Sequence, residues 1–408
     1  MDYLGKRLLH TPEGVRDIYG EEYAKKLTVH ELFHEKLNAF GYQDIQTPTF
    51  EFFDVFGSKI GTTPSKDLYK FFDKEGNTFV LRPDFTPSIA RCAAKYFMEE
   101  TMPLRFCYFG NTFTNTSNLQ GKLKETTQMG AELIGDPSAD ADAEMIAMLI
   151  NALKNTGLEE FQVSIGQIEY FKGLCEELKL DEDTEIALRE LISNKNYFGA
   201  EELLSDKQIE QSDIDVLLKI NDMFGTIEIV EDAKALVRNK RSLEALKRLE
   251  EIYKRLQDYG VERYVSFDLG MVSKYNYYTG MILKAYTYGI GDAIAKGGRY
   301  DNLLAEFGKD APATGFMVVI DDLVAALTRQ KIALSVENNH VLLLYSSENV
   351  STAIKKAEEY RAEGYLIAMM KKNAEKQFDD YVAYAKSNHY QAVYELLDDA
   401  SIRIKTLD

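Results

Sequence analysis

The stretch TFVLRPDFTPSIARCAAKYFMEETMPLRFCYFGNTFTNTSNLQGKLKETTQMGAELIG, residues 78–135, decides how this chain folds. Three β-rich runs, TFVLRP (78–83), LRFCYFG (104–110) and TTQMGAELIG (126–135), alternate with a short helix near Ser88–Met98. A helix rich in Ala, Met and Ile follows over 139–156. Strands interleaved with helices in this way predict an α+β fold, a sheet flanked by helices. Working outward, residues 20–40 place Leu27, Phe33, Leu37 and Phe40 at helical spacing and end at Gly41. A strand-like run from Tyr42 to Phe50 comes next, with Pro48 suited to an edge.

Between about 170 and 260 the chain becomes charged and helical, which reads as a helical insertion. Within it Ser242 is placed to cap a helix carrying Leu243, Leu246, Leu249, Ile252 and Leu256 on one side, with Gly260 at its end. β-like sequence resumes at Tyr264. From Asn338 the tail alternates strand (VLLLY), helix (351–363), strand (YLIAMM), helix (375–387) and strand (YQAVYEL). The expected organisation is a core over 1–335, carrying the insertion, and a small α/β domain over 338–408.

A length of 408 residues suits two or three domains, and 45% hydrophobic residues supply a full core. No apolar run reaches 18 residues, and the start MDYLGKRLLHTPEG has no apolar signal region, so a soluble cytoplasmic protein is expected, without a membrane partner. Cys92, Cys107 and Cys175 are odd in number and lack CxxC spacing, which disfavours a disulfide framework or structural zinc. The net charge of −18 opposes broad nucleic-acid binding, which draws on Lys and Arg to neutralise phosphates. The tail adds no basic surface: 338–408 holds nine Lys or Arg against eleven Asp or Glu, a net of −2.

Five segments carry the chemistry: LRPDFTPSIAR (81–91), FGNTFTNTSNLQGKLKETTQMGAELIG (109–135), MVSKYNYYTG (271–280), GGRYDNLLAEFG (297–308) and GFMVVIDDL (315–323). In this order and spacing they resemble the core of class II aminoacyl-tRNA synthetases, histidyl-tRNA synthetase above all. The resemblance implies an antiparallel sheet with helices, dimeric through about residues 20–55. It also implies that Asp84, Thr86, Gln128 and Glu132 hold the α-amino group and imidazole of histidine, with Tyr277 and Tyr278 as aromatic wall and hydroxyl. Carboxylates suit that task, because an ammonium and a ring N–H are both donors. The alternative for Asp84 and Glu132 is ordinary structural pairing with Arg82 and Arg91.

Adenylate formation needs cations on the phosphates of ATP. Where the synthetase pattern has three arginines, this sequence has Thr114, Ser273 and Asp322. A hydrogen bond to a charged group is worth about 1.5–3 kcal/mol, so losing three removes on the order of 5–9 kcal/mol of phosphate and carboxylate binding. Lys122 and Lys124 replace one contact at most. A synthetase-like chain without the synthetase arginines resembles the regulatory subunits of ATP phosphoribosyltransferase. That family implies a non-catalytic chain without cofactor that binds histidine and joins a short-form catalytic subunit in a hetero-octamer, giving histidine feedback on the first step of histidine biosynthesis. A divergent histidyl-tRNA synthetase, or a synthetase-like binding module for another partner, remains the alternative.

His30-Glu31-Leu32-Phe33-His34 matches HExxH letter for letter. Because the helix fits the synthetase dimer motif, and only His10, His340 and His389 remain as further histidine ligands, packed or interface histidines are expected and no metal. Lys296-Gly297-Gly298-Arg299-Tyr300 lacks the GKS/T of a P-loop and reads as a turn.

Overall fold

Helix Ala139–Asn155 is apolar on nearly every side, with Met145 to Ile150 all buried, as befits a helix enclosed between layers. Ser138 caps it, its Oγ accepting the N–H of Ala141. In the computed structural model, which describes residues 9–57, 63–116, 123–272, 277–334 and 339–407, this helix lies in the first of two compact units, formed by residues 1–17 and 29–334. The second comprises residues 18–28 and 335–408.

The strands of the first unit are β1 (Gln43–Asp44), β2 (Phe50–Phe52), β3 (Lys70–Phe72), β4 (Thr78–Leu81), β5 (Leu104–Phe113), β6 (Glu125–Ile134), β7 (Phe161–Gln167), β8 (Phe224–Gly225), β9 (Val265–Asp268), β10 (Met281–Thr287), β11 (Ala295–Arg299) and β12 (Ala313–Val319). Nine of them form one sheet in the order β1-β5-β6-β12-β11-β10-β7-β9-β8, and the other three a small sheet, β2-β4-β3. The large sheet is antiparallel apart from two parallel pairs, β1 with β5 and β7 with β9. Its centre is set by β5 on β6, with Phe106 opposite Glu132, and by β6 on β12, with Glu132 opposite Gly315.

Several local expectations are corrected. The helix Gly20–Ala39 buries Val29, Phe33 and Leu37, whereas Leu27 is 41% exposed. Gly41 does end it, at φ +83°, with Tyr42 N–H returning to the carbonyl of Leu37. The single strand expected over 42–50 is instead two, β1 and β2, because the Arg82 guanidinium takes up the carbonyls of Thr47 and Pro48 between them. In the helical region the cap of Lys240–Asp258 is Asn239, whose Oδ1 accepts the N–H of Ser242. Ser242 is itself helical and buried, donating its hydroxyl to the Tyr170 carbonyl, and Leu243 turns outward. The GGRY segment is not a turn: Ala295–Arg299 is a strand within the large sheet.

The second unit holds β13 (His340–Tyr345), β14 (Leu366–Lys371), β15 (Ala392–Leu396) and β16 (Ile402–Thr406), ordered β14-β13-β15-β16. β13 is parallel to both neighbours, which requires the crossover helices Val350–Ala362 and Phe378–Ser387. The antiparallel edge strand β16 is unexpected. No helix among the described residues is long and apolar enough to cross a membrane.

Candidate functional site

Beyond β4 the chain turns through Arg82-Pro83-Asp84 into the helix Thr86–Tyr96. Arg82 fixes the turn by donating to the carbonyls of Asn111 (2.9 Å) and Thr47 (2.9 Å), and its guanidinium lies 4.0 Å from the centre of the Phe85 ring. Arg91 donates to Glu51 (2.8 Å). Both arginines are therefore engaged elsewhere, and neither is the counter-ion of Asp84 or Glu132.

Asp84 Oδ1 accepts the N–H of Thr86 (3.2 Å), and the Thr86 hydroxyl in turn donates to Glu132 Oε1 (2.8 Å). The Tyr300 hydroxyl donates to Glu132 Oε2. Glu132, 1% exposed toward the C-terminal end of β6, thus rests between two hydroxyls instead of facing a cation. Burial pushes its carboxyl up to about 8, against the downward pull of the Tyr300 and Thr86 hydrogen bonds. Asp84 is likewise raised by burial, partly offset by the N–H groups of Thr86 and Phe85. Gln128, two pleat repeats away on the same face of β6, has its Oε1 buried without a hydrogen-bond partner among the described residues, as does the hydroxyl of Tyr108. An orphaned buried acceptor lining the same cavity as two raised carboxyls asks for a ligand rich in N–H donors.

These groups open on a cavity of about 280 Å³. Asp84, Thr86, Gln128, Glu132, Tyr277 and Tyr278 all line it, so the structure brings together all six residues read from the sequence. The two tyrosine rings lie 4.4 Å apart, and Tyr277 meets Tyr300 edge-on at 6.0 Å. Gly315 is the floor: a Cβ there would collide with the Glu132 carboxylate.

At the other end the lining includes Thr114. Asp322 does not join the lining; it sits half-buried in the first turn of helix Ile320–Arg329, while its neighbour Asp321 accepts the N–H of Thr127 (2.7 Å). Ser273 lies outside the described residues. Among the described lining residues one cation, Lys296, stands against the carboxylates Asp67, Asp84 and Glu132. Sequence reasoning missed Lys296, Tyr300 and Gly315. Strand register is what delivers them, and the signal available was the glycine pair 297–298, which lets β11 approach β12 closely.

Tyr300 is held from behind. Its neighbour Arg299 is 5% exposed and donates to Asp142 Oδ1 (2.9 Å) and Asp301 Oδ1 (3.1 Å). Arg248, on helix Lys240–Asp258, closes on the other oxygen of Asp142 (2.7 Å). One wholly buried carboxylate thereby ties the helical region to the end of β11, where Arg299 precedes Tyr300.

The family model described as histidyl-tRNA synthetase matches residues 14–323. Proteins named ATP phosphoribosyltransferase regulatory subunit from Acetivibrio thermocellus and Ruminiclostridium cellulolyticum are 40% and 37% identical to this chain, over 98% and 97% of it and 95% and 94% of their own lengths. The chain belongs to the ATP phosphoribosyltransferase regulatory subunit family. A solved member-like structure from Bacillus halodurans, described as an ATP phosphoribosyltransferase regulatory subunit/histidyl-tRNA synthetase, superposes with a TM-score of 0.85 at 35% identity, covering 95% of this chain and 98% of that one. Histidyl-tRNA synthetase from Nostoc sp. superposes at 0.79 over 98% and 97% of the two chains, with 17% identity, which shows the common fold. This regulatory-subunit family therefore uses the class II synthetase architecture, α+β as expected.

Proposed function

We propose that this chain is the regulatory subunit of an ATP phosphoribosyltransferase, non-catalytic by itself, and that free histidine is the ligand of the cavity. The observation that carries the ligand is Glu132: a buried carboxyl held by two hydroxyls, lining the same cavity as Gln128, whose Oε1 has no partner among the described residues, matches an imidazole and an ammonium, both of which present N–H groups. Lys296, whose ammonium lies 3.5 Å from Asp292, is the cation among the described lining residues that we assign to the ligand's carboxylate. With Thr114 in its lining and Lys296 the one cation among its described lining residues, the same cavity offers too little positive charge to activate ATP.

A chain of this kind acts on chemistry only by binding two states of a partner differently. The family implies the partner, a short-form catalytic subunit, and we propose a self-dimer through about residues 20–55 within a hetero-octamer. Mixing the two proteins is the test. Co-elution on size exclusion, activation of phosphoribosyl transfer to ATP, and inhibition by histidine that is weakened in Glu132→Gln are expected. Histidine-dependent pyrophosphate exchange by the chain alone, or independent elution beside a fully active catalytic subunit, overturns the proposal.

A further inference from the structure

The HExxH sequence of helix Gly20–Ala39 is not absorbed by the ligand cavity. Its two imidazoles, one turn apart, face the edge of the large sheet, where β1 runs parallel to β5 with Asp44 in register with Cys107. His30 packs its ring on Phe109, 4.0 Å between centroids, two residues along β5 from Cys107. One turn on, His34 Nε2 lies 2.7 Å from Asp44 Oδ1, and the Cys107 thiol donates toward the same oxygen at 3.5 Å. The helix spacing of four and the strand spacing of two thus match, so that one histidine is stacked and the other meets a carboxylate and a thiol.

We propose that His34, Asp44 and Cys107 form a binding site for a single Zn²⁺ ion. Their ligand atoms all fall within 4.8 Å of one another. A tetrahedral Zn²⁺, with Zn–S about 2.3 Å and Zn–N or Zn–O about 2.0–2.1 Å, holds such atoms roughly 3.4–3.6 Å apart. The Cys107–Asp44 separation already meets that spacing, and the His34–Asp44 pair opens slightly when the cation replaces their shared proton. Imidazole, carboxylate and thiolate together suit a borderline-soft divalent ion and not Mg²⁺ or Ca²⁺, which prefer all-oxygen sets. The Asn38 side-chain nitrogen lies 3.4 Å from Nδ1 and 3.3 Å from Nε2 of His34, so it borders the ring edge without selecting either nitrogen. Within the single chain Cys107 is buried, His34 half-buried and the Asp44 side chain 70% exposed, and because His34 and Asp44 lie in the segment proposed for the self-dimer, the fourth ligand is left to a water or to the partner copy. This is not the zinc-protease arrangement that HExxH suggests, since His30 is occupied by Phe109 and the carboxylate and thiol come from the sheet.

The full chain, chelator-treated and kept reduced, is titrated with Co²⁺. A single equivalent should produce a near-ultraviolet thiolate-to-cobalt charge-transfer band that Zn²⁺ abolishes. Cys107→Ser should remove the band, whereas Cys92→Ser and Cys175→Ser leave it. Outer partners of a metal site alone are worth about 10–100-fold in affinity, so Asp44→Asn and His34→Gln should each weaken Co²⁺ binding at least about tenfold. Asp44→Asn, at an exposed side chain, keeps the test decisive if Cys107→Ser does not fold. Absence of the band in a folded chain, its survival in Cys107→Ser, or undiminished affinity in Asp44→Asn refutes the site.

Discussion

Asp142 and Glu132 are both sealed from solvent in the same unit, and their surroundings are opposite. Asp142 is gripped by Arg248 on one oxygen and Arg299 on the other. Glu132 has Thr86 on one oxygen and Tyr300 on the other, with a cavity in front. A buried carboxylate between guanidiniums is spent on architecture, because its charge is matched at all times. One between hydroxyls is only partly satisfied, so its remaining capacity is directed at whatever enters.

The difference can be broken from the Asp142 side first. Removing one partner of a buried ion pair costs about 3–5 kcal/mol, since the charge left behind is uncompensated. Asp142→Ala should therefore lower unfolding stability by about that amount in urea titration, and a loss under about 1 kcal/mol would show that Arg248 and Arg299 re-pair cheaply.

Glu132→Gln should do the reverse, leaving the fold at least as stable while weakening histidine by about 1–3 kcal/mol in calorimetry. Unchanged affinity in a folded variant removes Glu132 from the ligand's contacts.

The charge state sharpens the contrast further. With its pKa raised from 4.5 to about 8, Glu132 holds a proton in the folded chain that the unfolded chain has released, so its contribution to stability is complete below about 4.5 and lost as pH climbs through about 8. Stability of the ligand-free chain should fall over that window more steeply than in Glu132→Gln; parallel curves would contradict the assignment. The smallest effect belongs to Thr86→Val, which deletes one of the two hydroxyls. It should raise the Glu132 pKa further and cost about 1 kcal/mol in histidine binding; a lowered pKa, read from the pH dependence of binding, would reverse the logic.

The same pair explains what could be read without coordinates. Asp84, Thr86, Gln128 and Glu132 were legible because two short continuous motifs carry them, and strand alternation puts Gln128 and Glu132 on one face. Tyr300, Lys296 and Gly315 were not, since they reach Glu132 only through the pairing of β6, β12 and β11, which no local pattern encodes. Asp142 carried no local signal of its role, since its two arginines come from distant segments. Capping was misread at Ser242 because Asn239 and Ser242 both suit an N-cap, and the choice fell to the Tyr170 carbonyl that takes the serine hydroxyl. β16 escaped notice as an edge strand with mostly exposed side chains, where burial leaves little periodic trace.

The glycine beneath Glu132 has a consequence for descent. No side chain fits at 315 while a glutamate occupies 132, so a bulkier floor there requires a change at 132 first.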